Sequence, residues 1–248
     1  MARITVLYAL LIIALLHGVT VQAQFNDSTH YLVSANLSGN VNRTSSGTNY
    51  LLDNSLKLGV EKQQLTLNSN TRWLYGANAG TLINNDFSSI FDCNVYARPK
   101  ARFNYWALAN FTSSYSLKID YQFQGGSGIA WKAIDKPYLM MRLSDGFLYE
   151  NSQVLLKDGT TEQYQTLRNS FRIQLRANWN TRISFESVAF WQPSVIDGGD
   201  YIMNAQAGIS VKAGKWLSFT SRLSYMDVSR TQRQNLLFTY GVTVGRYF

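Results

Sequence analysis

The segment Asn204–Tyr225, NAQAGISVKAGKWLSFTSRLSY, indicates the fold class of this chain. On each side of Gly214, small, apolar or aromatic residues occupy most odd positions, and polar residues occupy the even ones. A period of two is typical of a β-strand with one apolar and one polar face. Two such segments around a short turn predict a β-hairpin.

The same alternation recurs from Tyr31 to the end of the sequence, in about 12 segments of roughly 9 to 14 residues, lengths that suit tilted strands crossing a bilayer. Because outer-membrane barrels have an even number of antiparallel strands, we predict an all-β fold: an antiparallel up-and-down transmembrane β-barrel of about 12 strands. The apolar face would meet lipid. The other face, rich in Asn, Ser, Thr and Gly, would line a wet lumen.

A secreted soluble barrel or β-sandwich is the competing interpretation, because alternation also fits an apolar interior with a polar surface. The scarcity of Lys and Glu on the polar face favours the membrane barrel over that alternative. Composition agrees, since the 248 residues are only 15% charged and 14% aromatic. The aromatic residues would form girdles at the two membrane interfaces.

The first residues have the pattern of an export signal. The apolar run Val6–Leu16 follows Arg3, and Val21–Ala23 offers small residues at a cleavage site, which predicts a secretory signal peptide at 1–23. Its removal would lower the formal charge from +8 to +7. Residues 24–30 would form a tail before a barrel domain at 31–248, located in the outer membrane of a Gram-negative bacterium.

The last predicted strand ends in an alternating series that resembles the signal read by the barrel assembly machinery. The residues of this predicted C-terminal assembly signal are Phe238, Tyr240, Val242, Val244 and Phe248. The partners expected from the barrel interpretation are therefore the lipid bilayer, lipopolysaccharide and the assembly machinery. No nucleic-acid partner is expected, since the basic residues do not cluster with stacking aromatics on one surface.

Charged residues on the polar face suggest an electropositive lumen. The basic residues assigned to the lumen are Lys57, Arg72, Lys118, Arg142, Arg168, Arg172, Arg176, Arg182, Lys212 and Arg222. The acidic ones are Asp53, Glu61, Asp92, Asp120 and Glu186. Ten cations against five carboxylates predict either a narrow anion-leaning pore or a salt-bridged plug, and the sequence does not decide between them.

No catalytic, metal or cofactor site is expected. The mature chain keeps one histidine, His30, ahead of the first strand, where it serves poorly as a catalytic base. Cys93, the only cysteine, excludes an intrachain disulfide or a Cys-based zinc site, and Asp197–Asp200 has the pattern of a turn rather than a calcium loop. A non-enzymatic barrel that binds a protein partner through loops at Asn78–Asp86 or Val154–Gln163 is the alternative to a pore.

Three segments resemble the domain-of-unknown-function 481 (DUF481) family, known as salt-induced outer membrane proteins. They are LSGNVNRTSSGTNYLLDNSLKLGVEKQQLTLNSNTRWLYG (37–76), YSLKIDYQFQGGSGIAWKAID (115–135) and LMMRLSDGFLYENS (139–152), the last with Gly146, Tyr149 and Glu150. The resemblance implies an outer-membrane barrel and brings no known activity or functional residues.

Overall fold

The computed structural model describes residues 30–44, 47–99, 101–180 and 182–247. The predicted signal peptide, residues 24–29 of the predicted tail, and Phe248 lie outside these ranges, so their assignments stay predictions. Within the described ranges, no helix is long and apolar enough to cross a membrane.

The described chain forms thirteen β-segments joined by short turns. Their bounds are β1 Tyr31–Thr44, β2 Gly47–Lys62, β3 Leu65–Asn78, β4 Thr81–Tyr96, β5 Phe103–Ser114, β6 Ile119–Lys136, β7 Leu139–Leu155, β8 Thr161–Asn169, β9 Phe171–Trp179, β10 Ile183–Pro193, β11 Tyr201–Lys212, β12 Leu217–Val228 and β13 Arg233–Tyr247.

Segments β8 and β9 are two halves of one strand interrupted at Ser170. Both pair with β7 in a single register, from Leu155↔Thr161 to Leu139↔Ala177. Each other neighbouring pair is antiparallel, and the pairs β1–β13 and β6–β7 complete the ring. The fold is therefore a closed antiparallel barrel of twelve strands, which confirms the predicted fold class.

Contacts between strands that are not neighbours identify the lumen face. Arg142 on β7 donates to the hydroxyl of Tyr96 on β4 at 2.8 Å, and Asn235 on β13 donates to Ser116 beyond β5 at 3.0 Å. Residues of the opposite parity are large and exposed, as a lipid-facing surface requires. The predicted C-terminal residues Phe238, Tyr240, Val242 and Val244 lie on this outward face, since they alternate with the buried lumen residue Thr239.

The barrel has two distinct ends. We call the end at which β1 begins and β13 finishes the terminal end, and the opposite end the loop end. The longest described connection, residues 194–200, lies at the loop end. The predicted binding loop Asn78–Asp86 is wrong, because Ala79 and Gly80 adopt positive φ angles of 49° and 84° and make a two-residue hairpin turn there. The predicted loop Val154–Gln163 shortens to residues 156–160.

Candidate functional site

An apolar cluster, which we call the plug, fills the lumen at the loop end. Its buried members are Leu117, Ile119, Val154, Ile202 and Val228. Leu117 belongs to the β5–β6 turn, whereas Ile202 and Val228 lie on β11 and β12 across the barrel. The cluster therefore spans the mouth, and the hydrogen bond between Ser116 and Asn235 crosses it as well.

Beneath the plug lies a buried ion pair between strands β7 and β8. Arg168 and Glu150 are both 0% exposed, and Nε of Arg168 lies 2.5 Å from Oε2 of Glu150. The carboxylate of Glu150 also accepts hydrogen bonds from the side chains of Gln122, Gln124, Ser152 and Tyr164. A buried carboxylate needs this many donors, because desolvation would otherwise outweigh its attraction to one cation.

The ion pair continues into the two turns above it. Arg168 Nη2 donates to Asp200 Oδ1 at 3.0 Å, and Arg168 Nη1 donates to the Asp200 carbonyl oxygen at 3.0 Å. Asp200 also binds Arg230, which in turn binds Glu162 at 2.7 Å. Charges thus alternate in sign along the chain Glu150, Arg168, Asp200, Arg230, Glu162, which we call the ionic latch.

The latch ties the mouth of the barrel to its wall. Asp200 closes the β10–β11 turn, and Arg230 lies in the β12–β13 turn, where its guanidinium stacks 3.8 Å from the ring of Tyr164. Partial burial acts to lower the pKa of Arg230, but hydrogen bonds to Asp200 and Glu162 outweigh burial and raise that pKa. Both turns are therefore held against the wall by salt bridges.

Trp106 and a group of glycines form a second packed region inside the lumen. Trp106 on β5 faces the lumen with Leu148 and Ala130, and its indole N–H donates to the carbonyl of Ile129 at 3.1 Å. A Cβ placed on Gly146 would lie 2.6 Å from Cζ2 of Trp106, and one on Gly128 would lie 2.7 Å from it. The glycines of the β6–β7 hairpin therefore make room for this indole.

The lumen toward the terminal end is polar and basic, and we call it the vestibule. Its cations include Lys57, Lys132, Arg142, Arg172, Arg176, Lys212 and Arg222, and its carboxylates include Asp92 and Glu186. Glu186 pairs with Arg176 at 2.8 Å, yet its side chain is 57% exposed. A half-exposed carboxylate enclosed by the barrel wall indicates a water-filled space.

Most of the vestibule cations have no carboxylate partner. Among the described residues, Arg142, Arg172, Lys57, Lys212 and Arg222 form no salt bridge, whereas Arg72 is held by Asp53 at 2.7 Å. Arg172 instead donates to the hydroxyl of Ser144 at 3.0 Å and lies over the ring of Phe190. No salt bridge to a described carboxylate therefore neutralises these five cations.

The structure corrects four of the predicted lumen residues. Lys118 lies in the β5–β6 turn with φ 58°, and its ammonium packs over Tyr115. Asp120 is exposed beside a β-bulge and bonds Gln153, because the bulge shifts the register and turns Ile119 inward in its place. Arg182 lies in the β9–β10 turn, and Glu61 is exposed at the rim of the terminal end.

The remaining eleven predicted residues lie along the lumen in three settings, and eight of them are in the vestibule. Asp53 and Arg72 pair with each other, with Thr239 donating to the same carboxylate, and Arg168 is buried in the latch. Sequence reasoning missed five residues of this site, namely Glu150, Glu162, Tyr164, Asp200 and Arg230. The even position of Tyr164 on a predicted strand was a usable signal, whereas the two turn residues gave none.

Comparisons with known proteins agree with this architecture. The solved structure of the NanC porin matches with a TM-score of 0.54 at 9% identity, covering 86% of this chain and 98% of that one. An outer membrane channel from Pseudomonas putida F1 matches with a TM-score of 0.51 at 11% identity, covering 92% and 100%. At such identities these likenesses show the fold alone. The chain resembles outer-membrane porins and channels in that respect.

Sequence comparison is more specific about descent. No curated protein sequence matches the chain. A family described as "Protein of unknown function, DUF481" matches residues 35–243, which include all but the ends of the barrel. The chain therefore belongs to the DUF481 family.

Proposed function

We propose that this protein is a narrow, anion-leaning pore of the outer membrane, seen here with its loop end closed. The observation that carries the proposal is the vestibule, where five cations without a carboxylate partner face a water-accessible lumen. Rings of cationic side chains lower the energy of anions in a pore and repel cations. The protein acts without catalysis, metal or cofactor in this account.

Because the plug and the latch close the loop end, ions can pass through the barrel only after these parts move. No ion crosses a mouth filled by buried apolar side chains, so conduction requires the 194–200 and 229–232 turns to lift away from the wall. Asp200 is the residue through which both turns hold, because it bonds Arg168 and Arg230 at once. Its release would free both turns in one step.

The membrane setting completes the proposal. The outward face, exposed and aromatic, meets the bilayer and lipopolysaccharide in the outer membrane. The chain would reach this membrane after loss of residues 1–23 and with help from the barrel assembly machinery.

A non-conducting structural barrel is the second candidate, and the plug specifically favours it. In this alternative the vestibule is a blind cavity, and the latch serves stability or presents the turns to a partner. The two candidates differ in whether any release of the latch produces a current.

Planar-bilayer recording of the wild type and the Asp200→Asn variant separates them. We expect the wild type to be mostly closed and Asp200→Asn to open far more often, because the amide no longer pairs with two guanidinium groups. Asp197→Asn is the matched control: this residue lies in the same turn, but among the described residues its carboxylate accepts a hydrogen bond only from the backbone N–H of Gly199, so its record should resemble the wild type. Silence from both proteins would overturn the pore and support the structural barrel.

Selectivity is tested in the same open variant under a salt gradient. Adding Arg172→Glu should move the reversal potential toward that of a cation-preferring pore, because it replaces an unpaired lumen cation by an anion. Arg43→Glu is the control, since Arg43 is exposed at the loop-end tip of β1 on the outward face. A reversal potential that both substitutions leave unchanged would refute the anion preference.

A further inference from the structure

The outward face carries a carboxylate within its apolar band. Asp145 on β7 is exposed, and its strand neighbours on the same face are Leu143 and the 54%-exposed Phe147. Its cross-strand partners are Ile129 and, by the register of β7 with β8 and β9, Phe171. Asp145 is therefore surrounded by side chains that face lipid.

The depth of Asp145 places it well inside the bilayer. It lies six residues above Leu139, the first residue of β7 at the terminal end. At about 3.3 Å per residue along a strand tilted by about 40°, this corresponds to about 15 Å, near the middle of an apolar band about 25 Å tall. A charged or strongly polar side chain at that depth destabilises a barrel that stands alone in lipid.

Within the described part of the chain, the Asp145 carboxylate has one hydrogen-bond partner, the side-chain amide of Asn169, whose own hydrogen-bonding groups are not all used. Asn169 Nδ2 donates to Asp145 Oδ1 at 2.9 Å, and its other contact is a long one of 3.4 Å to the Gly146 carbonyl. The Asp145 Oδ2 atom and the Asn169 Oδ1 atom make no hydrogen bond among the described residues. The pair thus presents both donor and acceptor capacity to whatever covers it.

Beside this pair the outer wall is indented. Small side chains on β4, β5 and β6 form a depression of about 360 Å³, whose lining includes Cys93, Ala107 and Ser127 between the larger Tyr105 and Ile129. Ser127 pairs with Phe147, the residue two places from Asp145. Small residues let two membrane proteins approach each other closely, and polar side chains beside them can form hydrogen bonds between the two proteins.

We propose that a second copy of this chain docks on this face, forming a dimer about a two-fold axis along the membrane normal. A second copy presents Asp145 and Asn169 at the same depth by necessity. A two-fold interface is also self-complementary, so Asn169 of each copy can donate to Asp145 of the other. The large side chains beside the pair, Phe147 and Ile129, then supply bulk for the depression of the opposite barrel.

The first test is the mass of the protein in mild detergent, measured by sedimentation equilibrium with density-matched buffer. We expect a dimer for the wild type and at least about a tenfold weaker association for Asp145→Leu, which corresponds to the loss of about 1.4 kcal/mol. Asn54→Leu is the control, because Asn54 is a polar residue on the lipid-facing surface of β2, across the barrel, and its loss should leave the dimer intact.

Stability measurements separate a failed interface from a failed fold. Under conditions where all proteins are monomeric, Asp145→Leu should resist urea better than the wild type, because leucine suits lipid. Weaker dimerisation together with a more stable monomer is the combination that only an interface role predicts. A wild type that is monomeric at every concentration would overturn the proposal.

Spin labels locate the interface in lipid bilayers. In a Cys93→Ala background, a label at Ser127→Cys should couple to its counterpart in the second barrel, whereas a label at Asn54→Cys should give no short distance. Short distances at Asn54→Cys, or at neither position, would refute docking on this face and point instead to contact elsewhere or to lipid alone.

Discussion

Arg168 has a different environment in the structure from the one that its sequence pattern predicts. Its spacing of four from Arg172, and of eight from Arg176, predicts a basic ladder on one face of a strand. The structure keeps all three on the lumen side, but it buries Arg168 between Glu150 and Asp200 and leaves Arg176 partly exposed. The ladder thus divides into one latch residue and two vestibule residues.

Removal of the Arg168 cation should be costly. Arg168→Met leaves Glu150 and Asp200 without their shared partner, and breaking a buried ion pair from one side costs about 3–5 kcal/mol. Urea unfolding in lipid vesicles, followed by tryptophan fluorescence, measures this loss of free energy. Arg172→Met, on the same strand face without a salt bridge, should cost less than about 1 kcal/mol. Equal losses would show that the latch contributes nothing specific.

Single-residue register is where sequence reasoning failed. The alternation predicts that Lys118 and Asp120 face the lumen and that Leu117 and Ile119 face outward. The bulge at Asp120 reverses that parity, so both apolar residues enter the plug. A bulge adds one residue without changing the apolar-polar composition, and the alternation therefore gives no sign of it.

At the scale of elements, the β6–β7 hairpin is the part of the barrel wall whose sequence is adapted to a side chain inside the lumen, the Trp106 indole. Gly126, Gly128 and Gly146 face inward at positions where a Cβ would meet the backbone of the neighbouring strand or the Trp106 ring. The indole fills the space that the missing side chains leave. The glycine-rich segment Gly125–Gly128 therefore marks a packing site.

Alanine substitution tests this packing. Gly146→Ala should lower the free energy of unfolding by about 1–3 kcal/mol or more, because the new methyl lies 2.3 Å from the Ser127 carbonyl oxygen and 2.6 Å from Trp106. Gly208→Ala is the matched control: its methyl also faces the lumen, yet its nearest neighbour, the Ser221 carbonyl oxygen, is 3.5 Å away. Near-ultraviolet circular dichroism reports on Trp106 at the same time. Equal tolerance of both substitutions would refute the packing role.

The strands themselves were predictable, whereas not all of their connections were. Alternation over ten or more residues is a strong local signal, which is why twelve strands and their inward faces followed from sequence. The segment Asn78–Asp86 failed because its polar residues suggest a loop, whereas Asn84 and Asp86 face the lumen of β4 and bond each other at 3.1 Å. Polar residues occur both in loops and on the lumen face of an outer-membrane strand, so the sequence alone does not distinguish the two.

At the scale of the whole molecule, the lumen is divided between a sealed end and an open one. The plug and the inner latch residues Glu150, Arg168 and Asp200 fill the loop end with side chains that are almost fully buried, and the vestibule at the terminal end keeps a half-exposed ion pair. The sequence predicted a basic lumen and left a pore and a salt-bridged plug as alternatives. One barrel contains both a basic vestibule and a salt-bridged latch. The alternation does not reveal the latch, because Arg168 joins Glu150 to Asp200 through contacts between distant strands and turns.

Cysteine accessibility tests this division most directly. In a Cys93→Ala background, Ser210→Cys and Ile202→Cys place a thiol on the same face of β11, the first in the vestibule and the second in the plug. Reaction with a water-soluble maleimide in lipid nanodiscs, where both ends are open to solvent, should be fast at residue 210 and slow at residue 202. Adding Asp200→Asn should speed the reaction at residue 202 alone. Equally fast labelling of both thiols in the latched protein would contradict the closed mouth on which the account rests.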